Sequence, residues 1–293
     1  MKPRVAILTG GTSSEREIAL LSARSVASAI EAFFDVDVFD IPNELDRFLS
    51  ARQTFTAAVP VFHGKGGEDG TIQGFLKTLD LPFIFSDVAA HAIGMNKWAT
   101  KQIVRAAGVR VCPETMEPPV VVKPLHGGSS IGVSIAHTKD ELQTALETAR
   151  KQENDVLVEQ FIAGEEYTVA VIDQAGETRA LPVIKIVPKG HAFFDYETKY
   201  AADLVDEICP APISEGLAER LQAVAIKAHQ TIGARHLTRS DFIVDAAGEI
   251  WFLEINTIPG QTVNSLVPKA LRAAGLDFGE VLRGWIEEVA RPL

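Results

Sequence analysis

The sequence predicts an α/β unit built on a parallel sheet at its N-terminus, followed by antiparallel α+β units. Three observations predict it. The first third alternates short β-branched runs with segments of helical period. The middle third places a Gly/Ser-rich loop between two strand-like runs, and the last third holds two apolar runs, RSDFIVDA and GEIWFLEIN, separated by the turn-like Ala246-Ala247-Gly248. With 293 residues the chain can bury two or three small cores, and 46% hydrophobic residues is a composition that folds.

In order, Val5–Leu8 reads as a buried strand, and residues 15–32 as a helix with Ile18, Leu21, Val26 and Ile30 at helical spacing. Strands follow at Val36–Phe39 and Ala57–Phe62, then a helix at Thr71–Leu79 and a short strand at Leu81–Phe85. This βαβ rhythm implies parallel strands with helices on their faces, and ligands in such sheets bind at the strands' carboxyl ends. Two loops fall there, TGGTSSERE (9–17) and HGKGGEDG (63–70). A helix from Lys97 to Ala107 then leads to the strand ending at Lys123-Pro124, the loop LHGGSSIGV and a second strand. Thr138 with Glu141 three residues on is a capping-box pattern opening a helix over 138–151. Strands at Val156–Glu159 and Tyr167–Ile172 complete the antiparallel unit. Residues 188–212 read as a long irregular stretch, the length of an active-site lid. Helices over 214–232 and 278–290 bracket the final hairpin.

That hairpin carries the most informative side chains. With a two-residue loop at Ala247-Gly248, paired positions sum to 495, so Asp241 faces Glu254 and Arg239 faces Asn256. Period-two alternation then puts all four on one face. Charges on a strand are ordinarily solvated or ion-paired. Here Phe242, Val244, Trp251, Phe252 and Leu253 surround them, and a carboxylate in an apolar strand needs a partner. Oxygen-only ligands suit a hard cation such as Mg²⁺, and the neighbouring Arg suits a phosphate or a developing oxyanion.

Other positions are individually weaker. Lys123 ends a β-branched strand before Gly127-Gly128-Ser129-Ser130-Ile131-Gly132, whose backbone N–H groups can approach phosphate oxygens. The loop is neither a Walker A motif nor GxGxxG, and most Gly/Ser loops are simple turns. Glu15 opens the first helix, where an acid also satisfies the helix dipole. Glu68 and Asp69 sit where they could cap the helix beginning at Thr71, and His63 has no second ligand at metal spacing. Lys199 and Tyr200 lie on the lid-like stretch.

A net charge of −11 argues against nucleic-acid or anionic-membrane partners. Cys112 and Cys209 form neither a CxxC nor a disulfide framework, which fits a reducing cytoplasm. The N-terminus lacks the apolar core of a signal peptide, and no run approaches the length of a membrane span.

Taken together, GGTSSERE, HGKGGEDGTIQG, MNKWATK, VVKPLHGGSSIGV, VEQFIAGEEYTVAV, FDYETKY, RSDF and LEINTIPGQTVNSLVP stand in the order found in D-alanine–D-alanine ligases. The chain resembles that family, part of the ATP-grasp superfamily, from about residue 5 to residue 275. The resemblance implies a three-domain ATP-grasp architecture: an N-terminal α/β domain over 1–95, a central subdomain over 96–187 and a C-terminal subdomain over 188–293.

It also implies site roles. ATP would lie between the two later domains, with Lys97 and Lys123 on its phosphates and Ser130 in the covering loop. Glu159, Phe161 and Ile162 would frame the adenine, and Glu166 would hold the ribose. Asp241, Glu254 and Asn256 would bind two Mg²⁺ ions, for which Mn²⁺ can substitute. Glu15 would take the ammonium of a first D-alanine, whose carboxylate becomes an acyl phosphate. The amine of a second D-alanine then attacks. Arg239 and the Gly260 N–H would stabilise the oxyanion, and Ser265 with Leu266 would anchor the second carboxylate. Ser129, Lys199 and Tyr200 would close the lid. The family further implies a cytoplasmic homodimer.

The chain departs from the family pattern in places. The segment between Met95 and Val122 is short, His126-Gly127 precedes the loop serines, Phe194 replaces a Tyr, and Ala23 replaces a Gly. Two alternatives stay open: a ligase using D-serine or D-lactate as second substrate, and a nucleotide-binding homologue without turnover.

Overall fold

The structure is a computed structural model, and it describes residues 2–128, 130–189 and 205–290. Its first unit is a parallel sheet in the order β2-β1-β3, from β1 (Arg4–Gly10), β2 (Asp35–Ile41) and β3 (Ala57–Pro60). Helix α1 (Arg16–Ile30) covers one face through Ala19, Ala23, Val26 and Ile30, all buried. The strand expected at 81–85 reduces to one bridge, Ala58 to Phe83. Phe85 takes a φ of +71°, which ends any extended run there. Helix α2 (Leu45–Ala51) and helix α3 (Thr71–Thr78) complete this unit.

Next come α4 (Val88–Met95) and α5 (Lys97–Ala106), two helices meeting at Asn96. Asp87 caps the first and Asn96 the second, its side chain accepting Ala99 N–H at 2.8 Å. Strands β4 (Val120–Pro124), β5 (Ser134–Ala136) and β6 (Val156–Gln160) form a small antiparallel sheet, order β5-β4-β6, backed by α6 (Lys139–Gln152). Thr138 caps α6 as expected, but Glu141 returns its bond to His137 N–H at 2.8 Å, one residue further out.

The large sheet contains β7 (Gly164–Gln174), β8 (Glu177–Ala180), β9 (Ile184–Pro188), β10 (Val205–Ile208), β11 (Leu237–Asp245) and β12 (Ile250–Asn256). Its path is β10-β9-β7-β11-β12, with β8 on β7. A division at 187/188 therefore runs through one sheet, because β7 pairs with β11 along nine positions. The irregular stretch expected over 188–212 likewise contains a strand, β10, held by β9. Helix α7 (Glu215–Thr231) packs on this sheet, and α8 (Leu266–Ala273) and α9 (Phe278–Val289) return to the first unit. One apolar core joins Val5 and Ile7 of β1, Ala170 and Ile172 of β7, and Leu282, Trp285 and Ile286 of α9. Among the described residues no helix is long and apolar enough to cross a membrane.

Candidate active site

Strands β11 and β12 place Arg239 opposite Asn256 and Asp241 opposite Glu254. The expected pairing therefore holds at the site, although the turn differs. Beyond Asp241 the register shifts, so that Phe242 faces Phe252 and Val244 faces Ile250. The loop is three residues, Ala246-Ala247-Gly248, with Gly248 at φ +78°. A β-bulge at Leu253 restores the pairing. Phe252 and Ile255 enter the core, while Leu253 and Glu254 face a cavity.

Three of the four side chains are joined by hydrogen bonds, and the fourth, Glu254, pairs with Lys97. Arg239 donates to both Asp241 oxygens, Nε to Oδ1 at 3.0 Å and Nη2 to Oδ2 at 2.9 Å. Thr168 of β7 donates to Oδ1 at 2.5 Å, and Asn256 Nδ2 approaches Oδ2 at 3.4 Å. Glu254 lies 3.5 Å from Lys97 Nζ. Burial disfavours charge on Arg239, but the Asp241 carboxylate more than offsets it and keeps the guanidinium charged.

Lys123 at the end of β4 and Glu159 on β6 sit on neighbouring strands, and Lys123 Nζ lies 2.6 Å from Glu159 Oε2. Lys101, one helical turn after Lys97 on α5, holds Glu159 Oε1 from behind. Lys97 Nζ donates to Gly127 O and its backbone N–H to Leu125 O, so this helix start fixes the root of the glycine loop. Lys97, Lys123, Ser130, Glu159, Phe161, Ile162 and Glu166 all line one cavity with Arg239, Asp241 and Glu254. Ser130 takes a φ of +58°, curving the loop over that cavity.

A second cavity, about 1010 Å³, is lined by Glu15, His63, Glu68, Asn256, Gly260 and Ser265. Gly128, Arg239 and Leu266 line both cavities, so the two meet there. A Cβ at Gly128 would stand 3.1 Å from Glu15 Oε2, so the glycine loop rests on the Glu15 carboxylate. Ser265 Oγ lies 2.7 Å from Thr262 Oγ1, folding the loop that presents Gly260.

Glu68 does not cap α3; Asp69 accepts Thr71 N–H at 3.0 Å instead. Glu68 accepts Gly64 N–H at 2.8 Å and Ile258 N–H at 3.3 Å, tying the 63–70 loop to the 257–265 loop. Burial, aided by Glu15, pushes its carboxyl up to about 8. Sequence reading gave Lys101 and Thr168 no role and Glu68 the wrong one. Only the spacing of Lys97 and Lys101 on one helix face could have signalled any of them. Ser129, Lys199, Tyr200 and Phe194 lie outside the described residues.

A family model described as "D-ala D-ala ligase C-terminus" matches residues 89–287. The chain belongs to the D-alanine–D-alanine ligase family. A family member, the D-alanine–D-alanine ligase of Desulfotalea psychrophila, is 40% identical, the match covering 97% of this chain and 94% of that one. The enzyme of the same name from Sinorhizobium fredii is also 40% identical, with 98% and 97% covered. Among solved structures, the Bacillus anthracis D-alanine–D-alanine ligase complexed with ATP superposes with a TM-score of 0.84 at 28% identity, covering 97% and 96%. The VanG D-Ala:D-Ser ligase of Enterococcus faecalis gives 0.85 at 27% identity, covering 98% and 99%. The fold is the family's ATP-grasp architecture, with the parallel sheet as its N-terminal part.

Proposed function

We propose that this protein is an ATP-dependent ligase that joins two D-alanines into D-alanyl-D-alanine through an acyl phosphate, for peptidoglycan precursor synthesis. The observation that carries this reading is the meeting of two cavities at Gly128, Arg239 and Leu266. One has the lysines and carboxylates that suit a nucleotide; the other has the donors and acceptors that suit two amino acids.

In this reading Lys97 and Lys123 hold phosphate oxygens as buried cations, and the glycine loop shields the transferred group from water. Phe161 and Ile162 flank the adenine beside Glu159, and Glu166 receives the ribose hydroxyls. Glu15 accepts the first substrate's ammonium and directs its carboxylate toward the junction of the cavities. The tetrahedral oxyanion formed by the second amine meets the Arg239 guanidinium and the Gly260 N–H. Ser265 and Leu266, at the start of α8, hold the second carboxylate. Ser129, Lys199 and Tyr200 are assigned to closure of the site.

Asp241, Glu254 and Asn256 offer only oxygen donors once Asn256 turns its Nδ2 to Asp241, and that donor set fits Mg²⁺ or Mn²⁺. Two such ions, when bound, would supply charge neutralisation on the phosphates. A cytoplasmic location is supported by Cys112 and Cys209, both free thiols. A homodimer is supported by the family resemblance.

The test is to mix the protein with Mg-ATP and D-alanine and follow phosphate and dipeptide together. Equal release of both is expected. Product only on adding D-serine or D-lactate would move the second substrate, and ATP binding without product would make the protein a non-catalytic homologue.

A further inference from the structure

Glu159 is a buried carboxylate between two lysines that stand differently toward the cavity. Lys123 lines it; Lys101 does not, and is only 2% exposed behind Glu159. Lys101 takes Oε1. Oε2 lies 2.6 Å from Lys123 Nζ and has no other partner among the described residues. A carboxylate so held is charged and fixed, and Oε2 becomes open as an acceptor when Lys123 turns to phosphate. Burial alone would raise the Glu159 carboxyl, and the two lysines pull it below the usual carboxylate range. Burial and Lys123 in turn lower Lys101, to about 8, while the Glu159 carboxylate that accepts its bond favours the cation.

We propose that Lys101 is a positioning residue that keeps Glu159 ionised when Lys123 turns to phosphate, and thereby makes the nucleotide site select a 6-amino purine over a 6-oxo purine. This rests on the reading that the cavity takes ATP. An ionised carboxylate only accepts hydrogen bonds, so it matches an exocyclic amine and repels a carbonyl oxygen. Without Lys101, Glu159 would share one cation with the phosphates. Its cheapest state in a buried site is then the protonated one, which can donate to a 6-oxo group.

The experiment is calorimetric titration of the full chain with Mg-ATP and with Mg-ITP, which differ at the 6-position. The wild-type protein is expected to prefer ATP by about 100-fold, as for a site whose buried polar group is left unpaired by the wrong ligand. In Lys101→Met the preference falls about tenfold or more, through tighter ITP binding relative to ATP, while Lys101→Arg retains it. Lys101→Gln keeps a donor near Oε1 without the charge; it gives the same fall and serves if Lys101→Met does not fold. Equal weakening of both nucleotides in the neutral variants, with the ratio unchanged, overturns the inference. A wild-type protein that binds both nucleotides equally overturns it while leaving the nucleotide site standing; one that binds neither overturns both.

Discussion

Arg239 holds Asp241 through both carboxylate oxygens, and both residues are almost wholly buried. With Thr168 on one oxygen and Asn256 on the other, all four acceptor directions of this carboxylate meet a protein donor. The carboxylate is thus aimed by its neighbours, and a cation reaching it must share a lone pair with one of them. Asp241→Asn replaces an acceptor by an amide that turns N–H groups toward Arg239. Turnover should fall at least about 100-fold, and the thermal midpoint should drop because a buried guanidinium loses its anion, a cost of about 3–5 kcal/mol before relaxation. Phosphate release and a melt check this; unaltered turnover would remove Asp241 from the ligand set.

Glu68 joins loops that are 190 residues apart in sequence. Glu68→Ala leaves the Gly64 and Ile258 N–H groups without their acceptor, about 1–3 kcal/mol for each group that stays dry. The expected signature is a raised KM for D-alanine together with a lower kcat, because the Ile258 loop also presents Gly260. If steady-state kinetics show both constants at wild-type values, Glu68 has no part in arranging these loops.

Two helical glycines make a matched pair. A Cβ on Gly94 of α4 would meet Thr257 Cγ2 at 2.7 Å, whereas on Gly74 of α3 the nearest atom is Val88 Cγ2 at 3.8 Å. Gly94→Ala should therefore destabilise by about 1–3 kcal/mol and slow turnover by pushing the site loop. Gly74→Ala should be neutral or stabilise by about 0.5–1 kcal/mol. Denaturant melts of the two variants read the difference; equal effects would contradict the packing of α4 on β12.

Two buried histidines should make acid weaken this fold, against an opposing contribution from Glu68, whose raised carboxyl favours the folded state as pH falls from about 8 toward its ordinary 4.5. Burial holds His91 down to about 4, and burial with Arg235 holds His236 down to about 3. Both rings are neutral when folded and bind a proton near pH 6.5 when unfolded. The unfolded chain thus binds more protons between about 6.5 and the folded values, so stability falls as pH falls through that window, by on the order of 2 kcal/mol per ring between pH 6.5 and 5. Asp173, which burial would raise but His229 and Thr178 lower to about 2, adds a loss below its ordinary value of 3.8. In Glu68→Gln, where that opposing contribution is gone, thermal midpoints at pH 7, 6 and 5 should decline, and adding His91→Gln should flatten the decline; a curve level from 7 to 5 in Glu68→Gln would sink the assignment.

Period-two alternation made the Arg239, Asp241, Glu254 and Asn256 face legible from sequence, because one face of a strand is a local property. The turn was not legible, since a three-residue loop plus a bulge at Leu253 reproduces at the site the pairing of a two-residue loop without one. Helix α8 was hidden by Pro268, which a first helical turn tolerates because its N–H has no partner there anyway. Helix α4 was hidden by its junction with α5 at Asn96. Lys101 and Glu68 meet partners 58 and 190 residues away, distances at which no periodicity speaks.

The core that α9 shares with β1 and β7 has a consequence for synthesis. Val5 and Ile7 are among the earliest residues made, yet they pack in one cluster with Trp285 and Ile286. Trp285 also donates to the backbone carbonyl of Asp173 at 2.5 Å, so the helix links the early sheet to the late one. On the ribosome the parallel sheet therefore waits with this apolar face only partly covered, by α1, until residues 278–289 have emerged to pack on the β3 side. A nascent chain stalled short of that helix presents this surface to chaperones and proteases, however complete its β11–β12 hairpin already is.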